Sequence, residues 1–149
     1  MATATSVGFG TQALLLGDGA TSESFSAPCG ITNLTKTTNV NIAETQVPDC
    51  ADVDALMQIV LDEVSRNHQI SFSGLLTTEA LATWDAWDRA GGSKNIQWFR
   101  DLTSGNGGGT LAGAAYLTAF EEQGQREDGK WQISGTVRFS GAETWTPAA

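Results

Sequence analysis

Few residues in this chain could do chemistry, and none sits in the pattern that chemistry requires. His68 is the only histidine. It follows Asn67 at what the alternation marks as a strand entrance, and no Ser–His–Asp or Cys–His arrangement can be assembled around it. A turn or surface histidine is expected. Cys29 and Cys50 could close a disulfide worth about 3 kcal/mol in the chain-entropy model. Their spacing does not say whether the Cα atoms lie within bonding distance. Synthesis in a reducing cytoplasm favours free thiols, so reduced cysteines, buried at assembly, are expected. With a single histidine, the two cysteines fall short of a zinc ligand set.

The carboxylates read the same way. Asp49, Asp52 and Asp54 cluster. Counting Asp52 as the first position of a calcium loop puts Glu63 at the twelfth, but Leu56 and Met57 then stand where a ligand and the sharp-turn glycine belong. A solvated acidic loop is expected. Glu121 adjoins Glu122, and Glu127 and Asp128 follow across a hairpin tip. Paired carboxylates hydrolyse glycosides when one is held protonated, and a solvated ribbon end offers nothing to hold it so. Gly105-Asn106-Gly107-Gly108-Gly109 lacks the Gly-Lys-Ser/Thr ending of a phosphate loop and precedes a strand pattern. Asn33-Leu34-Thr35 is a glycosylation sequon without a secretory signal. No catalytic residue, metal site or cofactor is expected, and the chain does not read as an enzyme.

Composition narrows the remaining classes. The 149 residues predict one domain spanning 1–149. A chain of this length buries roughly 68–70% of its unfolded surface, enough for its own core. Only 17% of residues are charged, against a usual share of about 25%. The balance is Thr, Ser, Gly, Asn and Gln, which suit strand faces and turns. Seventeen acidic residues against eight basic ones give a net charge of −9. The basic residues are scattered, with no two adjacent, which argues against tight binding of nucleic acid. The first residues carry neither a basic n-region nor a long apolar h-region. Apolar runs such as Leu14–Leu16 are far too short to span a bilayer, so no membrane anchor is expected.

The elements follow from periodicity. Residues 1–10 are small and polar and are expected to form a mobile arm. Residues 12–16 read as a strand, 17–19 as a turn, and 24–47 as two strands, with Val40 and Ile42 sharing a face in the second. Residues 57–64 and 69–76 read as two further strands. Val60 and Val64 lie opposite Met57, Ile59 and Leu61, so both faces of the first are expected to be covered. The one helix is expected over 77–90: Thr77 or Thr78 can cap it, Glu79 suits its N-terminal dipole, and Gly91-Gly92 can end it. Ala80, Leu81, Trp84 and Trp87 form its apolar stripe. Residues 95–102 return to strand, and 109–123 with 130–141 form a long hairpin around 125–129. In its second arm Trp131, Ile133, Val137 and Phe139 face one side, and Gln132, Ser134, Thr136, Arg138 and Ser140 the other.

This order of elements carries Phe25-Ser26-Ala27-Pro28-Cys29-Gly30, then Val47-Pro48-Asp49-Cys50 and an acidic loop. A helix with Thr77-Thr78-Glu79 and Trp84-Asp85-Ala86-Trp87 follows, and a closing hairpin. Over essentially its whole length the chain resembles the major tail tube proteins of long-tailed bacteriophages and of phage-like gene transfer agents. The resemblance implies an antiparallel β-sandwich or partial barrel with one flanking α-helix. Strands would join across subunits into a ring-shaped β-barrel, and hexameric rings would stack into a hollow conduit for DNA delivery. It implies as partners further copies of the chain and an initiator, a terminator and a tape measure. DNA would pass without specific binding, in a particle tail made in a host cytoplasm. The chain stops soon after Trp145, so the immunoglobulin-like C-terminal domain of some family members is not expected. Val47, Pro48, Asp49, Asp52, Asp54 and Leu56, in a projecting loop over 47–56, are the expected ring-stacking interface. Gln69, Ser71, Ser73, Gln132, Ser134, Thr136 and Arg138 are the candidate lumen lining, with a carboxylate expected beside Arg138. Leu81, Trp84 and Trp87 are expected to pack the helix onto the sandwich. The alternative is a non-enzymatic carbohydrate-binding or adhesin-like β-sandwich.

Overall fold

Alternating apolar and polar residues become one seven-stranded antiparallel sheet. A computed structural model describes residues 3–124, 126, 127 and 129–149. The elements are β1 (Gln12–Gly17), β2 (Phe25–Ser26), β3 (Ile31–Val47), β4 (Gln58–Leu75), α1 (Thr78–Ala90), β5 (Ser93–Arg100), β6 (Gly109–Gly124) and β7 (Trp131–Pro147). The strands lie in the order β2-β1-β5-β6-β7-β4-β3. The sheet curls until β1 comes back beside β3. There Gln12 Nε2 donates to the Leu34 carbonyl at 3.3 Å, but no ladder joins the two strands. The subunit is therefore a mainly β, open partial barrel.

The core lies inside the curl. Leu14 and Leu16 of β1, Leu34 of β3, Ile70 and Phe72 of β4, Ile96 and Trp98 of β5, and Ile133, Val137 and Phe139 of β7 are buried there. Helix α1 closes the curl. Thr77 is its N-cap, accepting from the Ala80 N–H at 3.3 Å. Gly91 ends it at φ 67°, a conformation that costs glycine nothing and other residues about 1 kcal/mol or more. Trp84 is fully buried, with Phe72 stacked on it at 4.4 Å and Phe120 at 5.9 Å. Leu81 is half-buried.

Three elements differ from the sequence reading. The strands expected over 57–64 and 69–76 are one continuous β4, so His68 sits mid-strand, paired with Thr38 and not at an entrance. Polar residues on both faces of Ser65–Gln69 suggest a break. In the subunit Ser65 and Arg66 are exposed and Asn67–Gln69 only half-buried, with Asn67 bonded to the Phe139 carbonyl, so polarity costs little there. Val64 is the extra residue of a bulge, since Asn41 pairs with Ser65 and Ile42 with Glu63. The bulge flips the parity of the strand, and Ile59 and Leu61 join the face of Ile70 and Phe72. Strand β7 also runs past the expected end at Gly141, pairing Thr144 to Pro147 with the first residues of β6.

Candidate assembly interface

No concave site gathers titratable side chains, and no group of three or more His, Cys, Asp or Glu could hold a metal among the described residues. What the fold presents instead is unsatisfied surface, in three places.

The first is a projecting ribbon. β4 pairs with β7 only through residues 69–75, whereas it pairs with β3 along its whole length. Residues 38–47 and 58–68 thus leave the body as a two-stranded arm. On the face that continues the core, Val40, Ile42, Ile59 and Leu61 are exposed, as is Val64 at the bulge. Neither face is covered within the subunit, contrary to the expectation for this strand. Isolated two-stranded ribbons are marginal in water, and these exposed apolar side chains, which share their face with Glu44 and the Arg66–Glu63 ion pair, call for a partner.

The second is the loop at the arm's end. The expected stacking residues Val47, Pro48, Asp49, Asp52, Asp54 and Leu56 all lie at or beside it. Asp49 accepts from the Ala51 N–H at 2.8 Å and Asp52 from the Asp54 N–H at 3.1 Å, two turns that fix the loop's shape. Leu56 is 95% and Val53 87% exposed.

The third is a polar face. Register brings the predicted lining residues together: Gln69 opposes Arg138, Ser71 opposes Thr136, Ser73 opposes Ser134, and Leu75 opposes Gln132. Ser71 and Thr136 hydroxyls meet at 3.3 Å, and Ser134 donates to Glu121 at 3.2 Å. The sequence reading missed its flanks, Asn33, Thr35 and Thr37 on β3 and Ala119, Glu121 and Gln123 on β6. The odd-numbered Thr and Asn of β3 carried that signal. Among the described residues no carboxylate pairs with Arg138, contrary to expectation: its Nε donates to Asn67 Oδ1 at 2.9 Å. An amide suffices because the guanidinium is exposed and keeps its hydration.

The other candidates separate. Cys29 and Cys50 are free and exposed, and the whole of β3 lies between them. Glu121 and Glu122 are exposed on β6, as is Glu127 beyond it; Asp128 and Gln125 of the hairpin tip lie outside the described residues. Asp52 and Glu63 sit in the loop and within β4, not in one ion-binding turn.

No family model matches the chain, and no curated protein matches it in sequence. Solved structures do. The tail of an empty gene transfer agent particle, refined with C6 symmetry, is 15% identical with a TM-score of 0.75, over 95% of this chain and 99% of that one. The SPP1 tail tube is 15% identical with a TM-score of 0.65, over 95% and 80%. The baseplate of the anti-feeding prophage is 11% identical with a TM-score of 0.58, over 99% and 98%. The chain shares its fold with these tail proteins.

Proposed function

We propose that the chain is the structural subunit of a phage-type tail tube, with hexameric rings stacked into a conduit for DNA. The observation that carries this reading is the arm, where exposed Val40, Ile42, Ile59 and Leu61 continue the core's face beyond the subunit's own edge. Its fold neighbours are tail and baseplate assemblies, two of them with six-fold symmetry, and the reading is of a non-enzymatic part.

Strand geometry supports a ring. The outer edge of β3 is unpaired, and residues 117–124 of β6 pair only with β7. Strand directions alternate along β3-β4-β7-β6, so the β6 of one copy can add to the β3 of the next and keep the alternation. That pairing satisfies both edges and closes a barrel. Four strands from each of six copies, about 4.8 Å apart, give a barrel about 37 Å across before tilt widens it. A heterologous contact that closes makes the ring, and one that does not close, along the axis, makes the tube. The arm tip supplies the axial contact in this reading, and the polar face lines the bore.

A carbohydrate-binding module would need an aromatic platform. Trp84 and Trp87 are buried, and the exposed Trp131 and Trp145 stand at opposite ends of β7. Negative-stain microscopy and sedimentation of the purified protein across a concentration series test the reading. Rings or tubes that form without nucleotide or metal are expected. A monomer that persists at high concentration, even when mixed with tail-initiator proteins, would overturn it.

A further inference from the structure

Two cations crowd one indole, and among the described residues neither makes an ion pair. Lys36 Nζ stands 5.1 Å from the centre of the Trp98 ring, and the Arg100 guanidinium 4.7 Å from it. Arg100 also lies 5.7 Å from Trp145 and donates to the Gly107 carbonyl at 2.9 Å. Among the described residues the Lys36 ammonium makes no hydrogen bond, and the only ion pairs are Arg66–Glu63 and Arg89–Asp85. Burial, with Arg100 nearby, holds the Lys36 ammonium below its ordinary pKa, and Glu143 offsets this only in part. Trp98 itself is 5% exposed, and its Nε1 is buried without a partner. An unmet buried donor is costly, and the orphan Trp98 Nε1 beside two half-buried cations, of which only Arg100 has an acceptor, leaves this corner short of acceptors. Trp98 and Arg100 also border a cleft of about 390 Å³, walled by Val7, Phe9 and Leu102.

The same chain carries a matching surface. The arm tip holds Asp49, Asp52 and Asp54, paired with no cation among the described residues, beside the nearly fully exposed Val53 and Leu56. We propose that the cation–indole cluster is the receptor for the arm tip of a second copy. A tip carboxylate accepts from Lys36 or Arg100, and Val53 or Leu56 lies against the cleft. The tip cannot reach its own cluster. At about 3.3 Å per residue, Val47 lies roughly 36 Å along a paired ribbon from Lys36. The contact is therefore between copies, and made head to tail rather than reciprocally it suits axial growth. It rests on the tube reading for its place in the assembly but not for its chemistry.

A zero-length carbodiimide joins a lysine amine to a carboxylate in direct contact. Isotope-labelled and unlabelled protein, mixed before assembly and then cross-linked, should give a mixed-isotope peptide joining Lys36 to an aspartate of residues 49–54. Replacing Asp49, Asp52 and Asp54 by Asn should remove that peptide and raise the concentration needed for polymerisation about tenfold or more. Lys36→Glu should do the same, and pairing it with Asp52→Lys and Asp54→Lys should restore polymers. Wild-type tubes in which Lys36 joins only Glu143, or an acid elsewhere, would overturn this contact and leave the tube reading intact. A wild type that never polymerises would overturn both.

Discussion

Trp84 shows how much one side chain can carry in a small open barrel. It is fully buried, touches β4 through Phe72 and β6 through Phe120, and stacks on Trp87 at 6.2 Å. No other residue of α1 ties the helix to two strands by ring stacking. Truncating a buried tryptophan costs about 3–5 kcal/mol. A domain of this size has about 5–15 kcal/mol in total. Trp84→Ala is therefore expected to give protein that is insoluble or unfolds at much lower denaturant, and that assembles poorly. Urea titration followed by circular dichroism checks it, and an unchanged midpoint would remove the packing role. Trp84 Nε1 has no hydrogen-bond partner. Trp84→Phe should consequently lose less than its volume suggests, because it also removes an orphan donor.

The arm is the element whose meaning lies outside the subunit. Its loop makes two internal turns but leaves its apolar side chains in solvent. Deleting residues 51–55 shortens the tip without touching β3 or β4. In the tube reading this deletion leaves rings and abolishes tubes, which negative-stain microscopy can count directly; normal tubes would refute the axial role. Much of this element is legible in the sequence. Pro48 with the aspartates marks the loop, and the alternation at Val40 and Ile42 marks the strand. The helix is legible too, because Thr77, the tryptophan stripe and Gly91 each obey a local rule. What the sequence hides is non-local. The Val64 bulge changes which face Ile59 and Leu61 occupy, and only the partner strand reveals it. The extension of β7 to Pro147 is likewise visible only from its pairing with Gly109. The cluster of Lys36, Trp98, Arg100 and Trp145 draws on three strands, and nothing in their spacing brings them together.

At the scale of the whole molecule, the distribution of charge decides what a closed ring would do. Six copies carry 6 × −9 = −54 formal charges. Acids gather on the arm tip, on the exposed side of α1 and towards the β6–β7 hairpin, while the four-strand polar face carries few charges, Glu121 and Arg138 among them. A bore that gripped phosphates would gain affinity with every neutralised charge and slow the passage of DNA. A hydroxyl- and amide-rich lining avoids that, and Arg138, tied to Asn67, is its one basic member. The competing arrangement turns the same face outward into solvent. Cysteine labelling separates the two, provided that the exposed Cys29 and Cys50 are first replaced by serine. Cysteines placed at Ser134 and Thr136 in that background should react slowly with a bulky maleimide in intact tubes and quickly once rings dissociate. Both positions are half-buried in the subunit but face away from its core, so the fold alone should not block the reagent. Equal rates in tubes and in free subunits would put the face outside and refute the lumen assignment, whereas a large difference would support a polar, sparsely charged wall around the bore.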